Sequence, residues 1–260
     1  MEKLLTIAGS DSSGGAGIQA DLKTFSALGT YGMSVITAIT AQNTQGVFGV
    51  QDVEEEIIYK QIEAIFTDID VDAVKIGMVS KSNTIETIVN ALKKFKAKNI
   101  VVDPVMVSKS GYHLLKSEAK KSLIEKLIPI AKIVTPNIFE AEVITGIEIK
   151  DIKDMEKAAK KIYGLGPQYV LVKGGHLSHE PIDILYNGEK FNYYRAVRIE
   201  TKNTHGTGCT LSSAIGVYLA KGFSVDKAVE KAKDYITSAI SKSFPLGKGV
   251  GPVHHFYSWW

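Results

Sequence analysis

One glycine-rich turn contains the single cysteine of the chain: residues 203–210 read Asn-Thr-His-Gly-Thr-Gly-Cys-Thr and precede an apolar, helix-forming run. Successive backbone N–H groups at the end of this turn predict an oxyanion nest at the start of a helix. Fixed dipoles of this kind stabilise the negative charge that spreads over phosphoryl oxygens in a transition state. The residues predicted to form this anion hole are Gly206, Thr207, Gly208 and Cys209.

The Cys209 thiol is a candidate base or nucleophile, because a helix N-terminus lowers the pKa of a thiol. The alternative is a small buried apolar side chain, which is what a lone cysteine usually is. The position of Cys209 at the junction of turn and helix favours the chemical role.

A second glycine-rich turn, residues 9–17, reads Gly-Ser-Asp-Ser-Ser-Gly-Gly-Ala-Gly and joins a predicted strand to a predicted helix. Its glycines allow backbone N–H groups to converge on an anion, but serines also cap plain tight turns. Both interpretations stay open. The turn matches neither the P-loop nor the G-x-G-x-x-G motif, so those two nucleotide-site classes gain no support.

Polar side chains follow several predicted strands. Asp103 ends a run of aliphatic residues, and Asn137 and Glu140 open a helix. Such oxygen-rich positions hold magnesium, which keeps most of its waters and bridges phosphates. From spacing alone, however, helix capping by Asn137 and a first-turn acid is the better explanation. Lys173 ends another strand, where its side chain either reaches a phosphate or is solvated.

Asp21 lies early in the first predicted helix and Gln42 at the end of the second predicted strand. A carboxylate and an amide can together recognise a polar planar ring, since the amide both donates and accepts hydrogen bonds. The alternative for each is simple surface exposure. His254 and His255 are adjacent and lack partners at metal-ligand spacing, so no histidine metal site is predicted.

Strands and helices alternate along the chain, which predicts an α/β fold with a mostly parallel central sheet and helices on both faces. Ligands of such sheets bind beyond the carboxyl ends of the strands. We expect a single domain, residues 1–260. The predicted strands are 4–9, 34–41, 72–77, 99–104, 131–135 and 169–173, with a hairpin around Asn187-Gly188; the predicted helices are 16–28, 54–69, 83–95, 117–128, 138–145, 153–165, 208–221 and 224–243.

Composition excludes several classes of protein. The chain has 260 residues, 45% of them hydrophobic, and a net charge of +3. No run reaches the ~18 apolar residues of a membrane helix, and no basic patch interleaved with aromatics predicts a nucleic-acid surface. One cysteine cannot form an internal disulfide. We expect a cytoplasmic protein that binds neither nucleic acid nor membrane.

The chain resembles the bacterial hydroxymethylpyrimidine/phosphomethylpyrimidine kinases of thiamine biosynthesis, within the ribokinase-like superfamily. The resemblance implies a three-layer sandwich and an ATP- and magnesium-dependent kinase that acts on a hydroxymethyl group or its phosphate, as a homodimer. The matching stretches run in order over nearly the full length: residues 8–25, 40–44, 75–78, 101–107, 135–142, 172–176 and 203–210.

The resemblance also implies roles for single residues. It assigns residues 206–209 to the anion hole and places Cys209 where most sugar kinases of the superfamily carry an aspartate base. The nucleotide side comprises Asn137 and Glu140 of an N-x-x-E motif with Asp103 and Lys173, magnesium lying at Asp103 and, through water, at Glu140. The aminopyrimidine side comprises Gly9, Asp21 and Gln42.

The nearest alternative is a pyridoxal or pyridoxine kinase, because members of the same sequence group phosphorylate pyridoxal. The stretch equivalent to residues 40–44 carries methionine and aspartate in those proteins, whereas Gln42 here can pair with both a ring nitrogen and an amino group. A non-catalytic protein that binds a vitamin precursor and a nucleotide-dependent regulator are the alternatives from other classes.

Overall fold

The computed structural model describes residues 1–106, 118–175 and 181–259, and within these ranges nine strands form one sheet. The strand order is β3-β2-β1-β4-β5-β6-β7-β8-β9, and six neighbouring strands from β2 to β7 run parallel. Antiparallel strands close both edges: β3 pairs with β2, and the β8–β9 hairpin extends from β7. Parts of the sequence patterns, including Val107, Ser117 and His176, lie outside the described residues.

The strands carry the buried apolar runs that the sequence predicts. Their bounds are β1 Lys3–Asp11, β2 Tyr31–Asn43, β3 Gly46–Asp52, β4 Ala73–Ile76, β5 Ile100–Val102, β6 Ile133–Val134, β7 Tyr169–Lys173, β8 Ile182–Tyr186 and β9 Phe191–Arg195. The helices are α1 Gly17–Ala27, α2 Glu55–Phe66, α3 Ser82–Lys94, α4 Ala119–Ser122, α5 Ile138–Thr145, α6 Ile152–Tyr163, α7 Thr207–Ala220 and α8 Val225–Ser241. Helix α4 continues through a π turn, Leu123–Leu127, and a 3-10 turn, Ile128–Ile130.

Helices cover both faces of the sheet. Successive residues of a strand point to opposite faces, so Val102 packs with α2 to α6 in one apolar cluster while Val101 packs with α7 and α8 in another. Leu4 likewise packs with Phe25 of α1 and Val217 of α7. The predicted α/β architecture with helices on both faces is confirmed. Among the described residues, no helix is long and apolar enough to cross a membrane.

The sequence patterns did not predict strand β3, and the predicted second strand, residues 34–41, ends before β2 does. Gly46 and Gly49 interrupt the apolar alternation of β3, and β3 is an edge strand whose residues are half-buried or exposed. Strand β2 runs to Asn43, so Gln42 lies in paired strand at the end of β2. The predicted helix 117–128 is an α segment only over Ala119–Ser122.

Candidate active site

A cavity of about 570 Å³ lies at the carboxyl ends of the parallel strands. The cavity lies at the topological switch point of the sheet, between β1 and β4, as expected for open parallel sheets. The cavity brings together nearly all of the predicted site residues: Gly9, Gln42, Asp103, Asn137, Glu140, Lys173, Gly206, Thr207, Gly208 and Cys209.

The predicted anion hole lies at the N-terminus of α7. Gly206 caps this helix with a φ of 76°, and a side chain there would overlap the carbonyl oxygen of Gly15. Only glycine combines this left-handed conformation with such a close approach. The first N–H groups of a helix have no acceptor within it, so they point at a ligand instead. One of them is partly engaged, since Thr207 N donates to Thr204 O at 3.4 Å.

Lys173 and Asp103 form an ion pair at the floor of the cavity, with 2.9 Å between Nζ and Oδ1. Thr135 and Ser212 also donate to the Asp103 carboxylate. Burial raises the pKa of Asp103, but the charges of Lys173 and Lys75 outweigh burial and hold that pKa below its usual range. Lys173 is therefore a paired cation facing the cavity, and the alternative of a solvated lysine is wrong.

Asn137 and Glu140 form a capping box at the start of α5. Asn137 N donates to Glu140 Oε2 at 2.8 Å, and Glu140 N donates to Asn137 Oδ1 at 2.9 Å. The capping alternative is thus correct, and both side chains also line the cavity. Burial, with the charge of Asp103 adding to it, raises the pKa of Glu140 to about 7 against the opposing effect of Lys173.

The donor set fits magnesium that is carried in with phosphates. Among the described residues, no group of three or more His, Cys, Asp or Glu side chains is arranged to hold a metal ion. Two carboxylates, Asp103 and Glu140, nevertheless face the cavity. Magnesium commonly keeps several waters and binds through one or two carboxylates and substrate phosphates, which matches this arrangement.

The Cys209 thiol lies at the cavity but does not have the lowered pKa that the sequence predicted. Burial raises the pKa of Cys209 to about 11, although the charge of Lys75 acts in the opposite direction. Burial therefore favours the neutral thiol over the thiolate near pH 7. The raised pKa favours a positioning role for Cys209, and its role as a base stays a prediction.

Asp21 is fully buried and is not among the described residues that line the cavity. Its carboxylate accepts hydrogen bonds from Thr6 Oγ1 at 2.6 Å, Ser213 Oγ at 2.7 Å and Lys75 Nζ at 2.8 Å. Asp21 therefore ties α1 to β1, β4 and α7, and surface exposure is wrong for this residue. The structure does not bring Asp21 together with Gln42 in the cavity.

Gln42 lies at the cavity wall and is tied to the first glycine-rich turn. Its backbone N donates to Ser12 Oγ at 2.8 Å, and Ser12 Oγ donates back to the Gln42 carbonyl at 2.7 Å. The Gln42 side-chain amide lies 3.3 Å from His205 Nε2. Gly9 lies nearby, where a Cβ atom would come within 3.0 Å of the Met78 sulfur.

The structure adds two residues that the sequence did not single out, Asp11 and His205. Asp11 accepts hydrogen bonds from the backbone N of Ser13, Gly15 and Ala16, and from His205 Nε2 at 2.8 Å. The amides of the first turn thus bind the turn's own aspartate, which favours the plain-turn interpretation. The sequence could have indicated Asp11 as a turn residue, because it precedes a serine- and glycine-rich turn. No local sequence signal indicates its contact with His205, which is 194 positions away.

Comparison with known proteins gives a consistent result. The model of the phosphomethylpyrimidine kinase family matches residues 11–254. A hydroxymethylpyrimidine/phosphomethylpyrimidine kinase of Rhizobium meliloti is 55% identical over 260 residues, covering 98% of this chain and 97% of the relative.

Solved structures extend this similarity to the fold. A phosphomethylpyrimidine kinase of Clostridium difficile 630 has a TM-score of 0.84 and 60% identity, covering 92% of this chain and all of the other. An ADP complex of Bacillus subtilis pyridoxal kinase has a TM-score of 0.92 and 46% identity, covering 98% and 97%. The similar structures therefore include both a phosphomethylpyrimidine kinase and a pyridoxal kinase.

Proposed function

We propose the function of this chain from one premise: it belongs to the phosphomethylpyrimidine kinase family, whose model matches residues 11–254. The chain phosphorylates 4-amino-5-hydroxymethyl-2-methylpyrimidine (hydroxymethylpyrimidine) with ATP and then phosphorylates the monophosphate to the diphosphate, in thiamine biosynthesis. The observation that carries this proposal is that one cavity is lined by the Gln42 amide, which can recognise a polar ring, by the N-terminus of α7 and by Lys173.

In the proposed reaction, the hydroxymethyl oxygen bonds in line to the terminal phosphorus of ATP while the bond from that phosphorus to the bridging oxygen breaks and ADP leaves. The hydroxyl proton passes to an oxygen of the transferred phosphoryl group. Backbone N–H groups of Gly208 and Cys209 stabilise the equatorial oxygens, and the Lys173 ammonium offsets the growing negative charge. Asp103 and, through water, Glu140 would hold magnesium, which would neutralise charge on the phosphates when bound. A loose transition state needs little help from a base, so the neutral Cys209 thiol positions the hydroxymethyl group.

The test is one substrate panel with ATP and magnesium. Hydroxymethylpyrimidine, its monophosphate, pyridoxal and pyridoxine are each assayed for ADP formation and for the phosphorylated product. We expect turnover of the first two compounds with the highest kcat/KM. A chain that binds hydroxymethylpyrimidine but releases no ADP is a binding protein, and that result would contradict the proposal.

A pyridoxal or pyridoxine kinase is the second candidate, supported by the similarity to the Bacillus subtilis pyridoxal kinase. Gln42 favours the aminopyrimidine, because one amide can donate to a ring nitrogen and accept from the neighbouring amino group. A kcat/KM for pyridoxal above that for hydroxymethylpyrimidine would make the second candidate correct.

We also propose a homodimer in the cytoplasm. The edge hairpin formed by β2 and β3 exposes apolar side chains, with Phe48 70% and Ile39 55% exposed, and a second copy would cover them. Light scattering after size exclusion measures the mass in solution. Phe48→Lys should shift that mass toward a monomer, and a wild-type mass of one chain would contradict the dimer.

A further inference from the structure

The ring of His205 lies between a carboxylate and the amide of Gln42. His205 Nε2 is 2.8 Å from Asp11 Oδ2 and 3.3 Å from the nitrogen end of the Gln42 amide. Burial raises the pKa of Asp11, but hydrogen bonds from His205 and Ser13 bring it down to about 2, so this carboxylate only accepts hydrogen bonds at neutral pH. His205 Nε2 therefore carries a proton and donates it to Asp11.

The oxygen end of the Gln42 amide faces a second group of fixed polarity. Thr40 Oγ1 lies 3.3 Å from Gln42 Oε1 and donates its single proton to the carbonyl of Ser10 at 2.8 Å. The Thr40 hydroxyl has one proton for two acceptors, and Ser10 O is the nearer one, so Gln42 Oε1 receives only the longer and weaker contact. With the amide in this orientation, two N–H donors meet at His205 and Gln42 Oε1 is poorly paired at Thr40.

A half-turn of the amide removes the donor–donor contact at His205 and lets Gln42 Nε2 donate to Thr40 Oγ1. We propose that Asp11, His205 and Thr40 are positioning residues that hold the Gln42 amide with Oε1 toward His205 and Nε2 toward Thr40. This inference rests on the proposed function, since it states which ring edge the site selects. The amide then presents one lone pair on its His205 side and one N–H on its Thr40 side to the cavity.

The fixed amide selects a ring edge by the order of its hydrogen-bonding groups. A 4-aminopyrimidine presents an acceptor nitrogen beside a donor amino group, which matches this amide. The corresponding 4-oxo compound presents a ring N–H beside a carbonyl and reverses both groups. The hydroxymethyl group must face Cys209, so the ring cannot turn over. The 4-oxo compound therefore places its ring N–H against the amide N–H and its carbonyl against the amide oxygen.

Packing prevents His205 from swinging away from this position. Its backbone N donates to the carbonyl of Gly251 at 2.9 Å, and a side chain at Gly15 would overlap the imidazole ring. The next residue, Gly206, is held against Gly15 in the same way. The imidazole therefore has one place to lie, which is what a residue that orients another requires.

The test compares the binding of two ligands by calorimetry, without ATP. Hydroxymethylpyrimidine and its 4-oxo analogue are titrated into the wild type, His205→Ala, Thr40→Val and Thr37→Val. Thr37 is the matched control, since its hydroxyl also donates to a carbonyl, Met78 O at 2.9 Å, three positions earlier in β2. Thr40→Val leaves the Asp11–His205 pair in place. The same binding comparison can therefore be made with this variant if His205→Ala does not fold.

We expect the wild type and Thr37→Val to prefer the amino compound by at least about 100-fold, because a site built for one hydrogen-bond pattern rejects the reversed pattern strongly. In His205→Ala and Thr40→Val the amide can turn, so the preference should fall by about tenfold or more. Equal weakening of both ligands, with the preference retained, would indicate a purely structural role and overturn the inference.

A measurement without any ligand separates this inference from the proposed function. In the ¹⁵N NMR spectrum of the free protein, His205 Nε2 should appear as a protonated nitrogen, and an unprotonated Nε2 would overturn the inference. Absence of hydroxymethylpyrimidine phosphorylation by the wild type would instead overturn the proposed function, whatever the state of His205.

Discussion

Replacing Asp21 with asparagine tests whether this residue supports the site from below or contacts the substrate. Asp21 and Lys75 are both 0% exposed, and their side chains form an ion pair at 2.8 Å. Asp21→Asn keeps the size of the side chain but leaves the buried Lys75 ammonium without its ion-pair partner. Loss of one partner from a buried pair costs about 3–5 kcal/mol, so the free energy of unfolding should fall by about that amount.

Urea unfolding followed by circular dichroism measures this change, provided that the m value stays at the wild-type level. Lys75→Met is the matched variant, and the double variant should recover part of the loss because neither member of the pair then carries a charge. Since Asp21 does not line the cavity, the KM for hydroxymethylpyrimidine should change by less than the roughly tenfold that 1.4 kcal/mol represents.

The opposite pair of results would refute this reasoning. If Asp21→Asn unfolds at the wild-type urea concentration while the KM rises more than about tenfold, Asp21 contacts the substrate. The substrate-binding role that the resemblance implies would then be correct, and the buried pair with Lys75 would not describe the working enzyme.

Three further predictions concern the anion hole and its surroundings. Gly206→Ala should lower kcat by about 10²–10³, as loss of one oxyanion donor does. The control is Gly222→Ala, which has a φ of 83° and open space around it and should lower stability but not kcat. Equal kcat values for the two variants would contradict this prediction. Lys173→Met should raise the KM for ATP and lower kcat in a coupled assay, and an unchanged kcat/KM for ATP would remove Lys173 from the nucleotide side. Alkylation of Cys209, the single cysteine, should stay slow at pH 7–8 and rise toward pH 11, because the thiolate forms only near its raised pKa of about 11; a plateau below pH 8 would show a reactive thiolate.

Local patterns were enough to predict most of the sheet and its helices. Strand β7, Tyr169–Lys173, and helix α5, Ile138–Thr145, have the predicted bounds, because each combines an unbroken apolar pattern with clear end signals. Strand β3, Gly46–Asp52, was missed because two glycines interrupt a half-exposed edge strand. Strand β3 is defined by its antiparallel pairing with β2, and a short stretch of sequence does not show that pairing.

The site was predictable where topology alone places a residue. Asp103 and Lys173 follow parallel strands, and the carboxyl ends of parallel strands meet at one edge, so their ion pair follows from the fold. The partners of Asp21 and Asp11 were not predictable, since Lys75 and His205 lie 54 and 194 positions away. Likewise, the pKa of Cys209 depends on burial by distant elements, which the local turn does not report.

The pairing of buried charges explains why the anion hole must be made of backbone. The buried carboxylates of Asp21 and Asp103 each have a lysine partner, Lys75 at 2.8 Å and Lys173 at 2.9 Å, so each of these two pairs adds little net charge. Glu140, with a pKa of about 7, is close to half ionised at neutral pH. The N–H groups at the start of α7, whose direction is fixed by the helix itself, therefore supply a positive potential for a migrating phosphoryl group that adds to the Lys173 ammonium. For this reason the conformation of Gly206 should matter more to turnover than the chemistry of the Cys209 side chain.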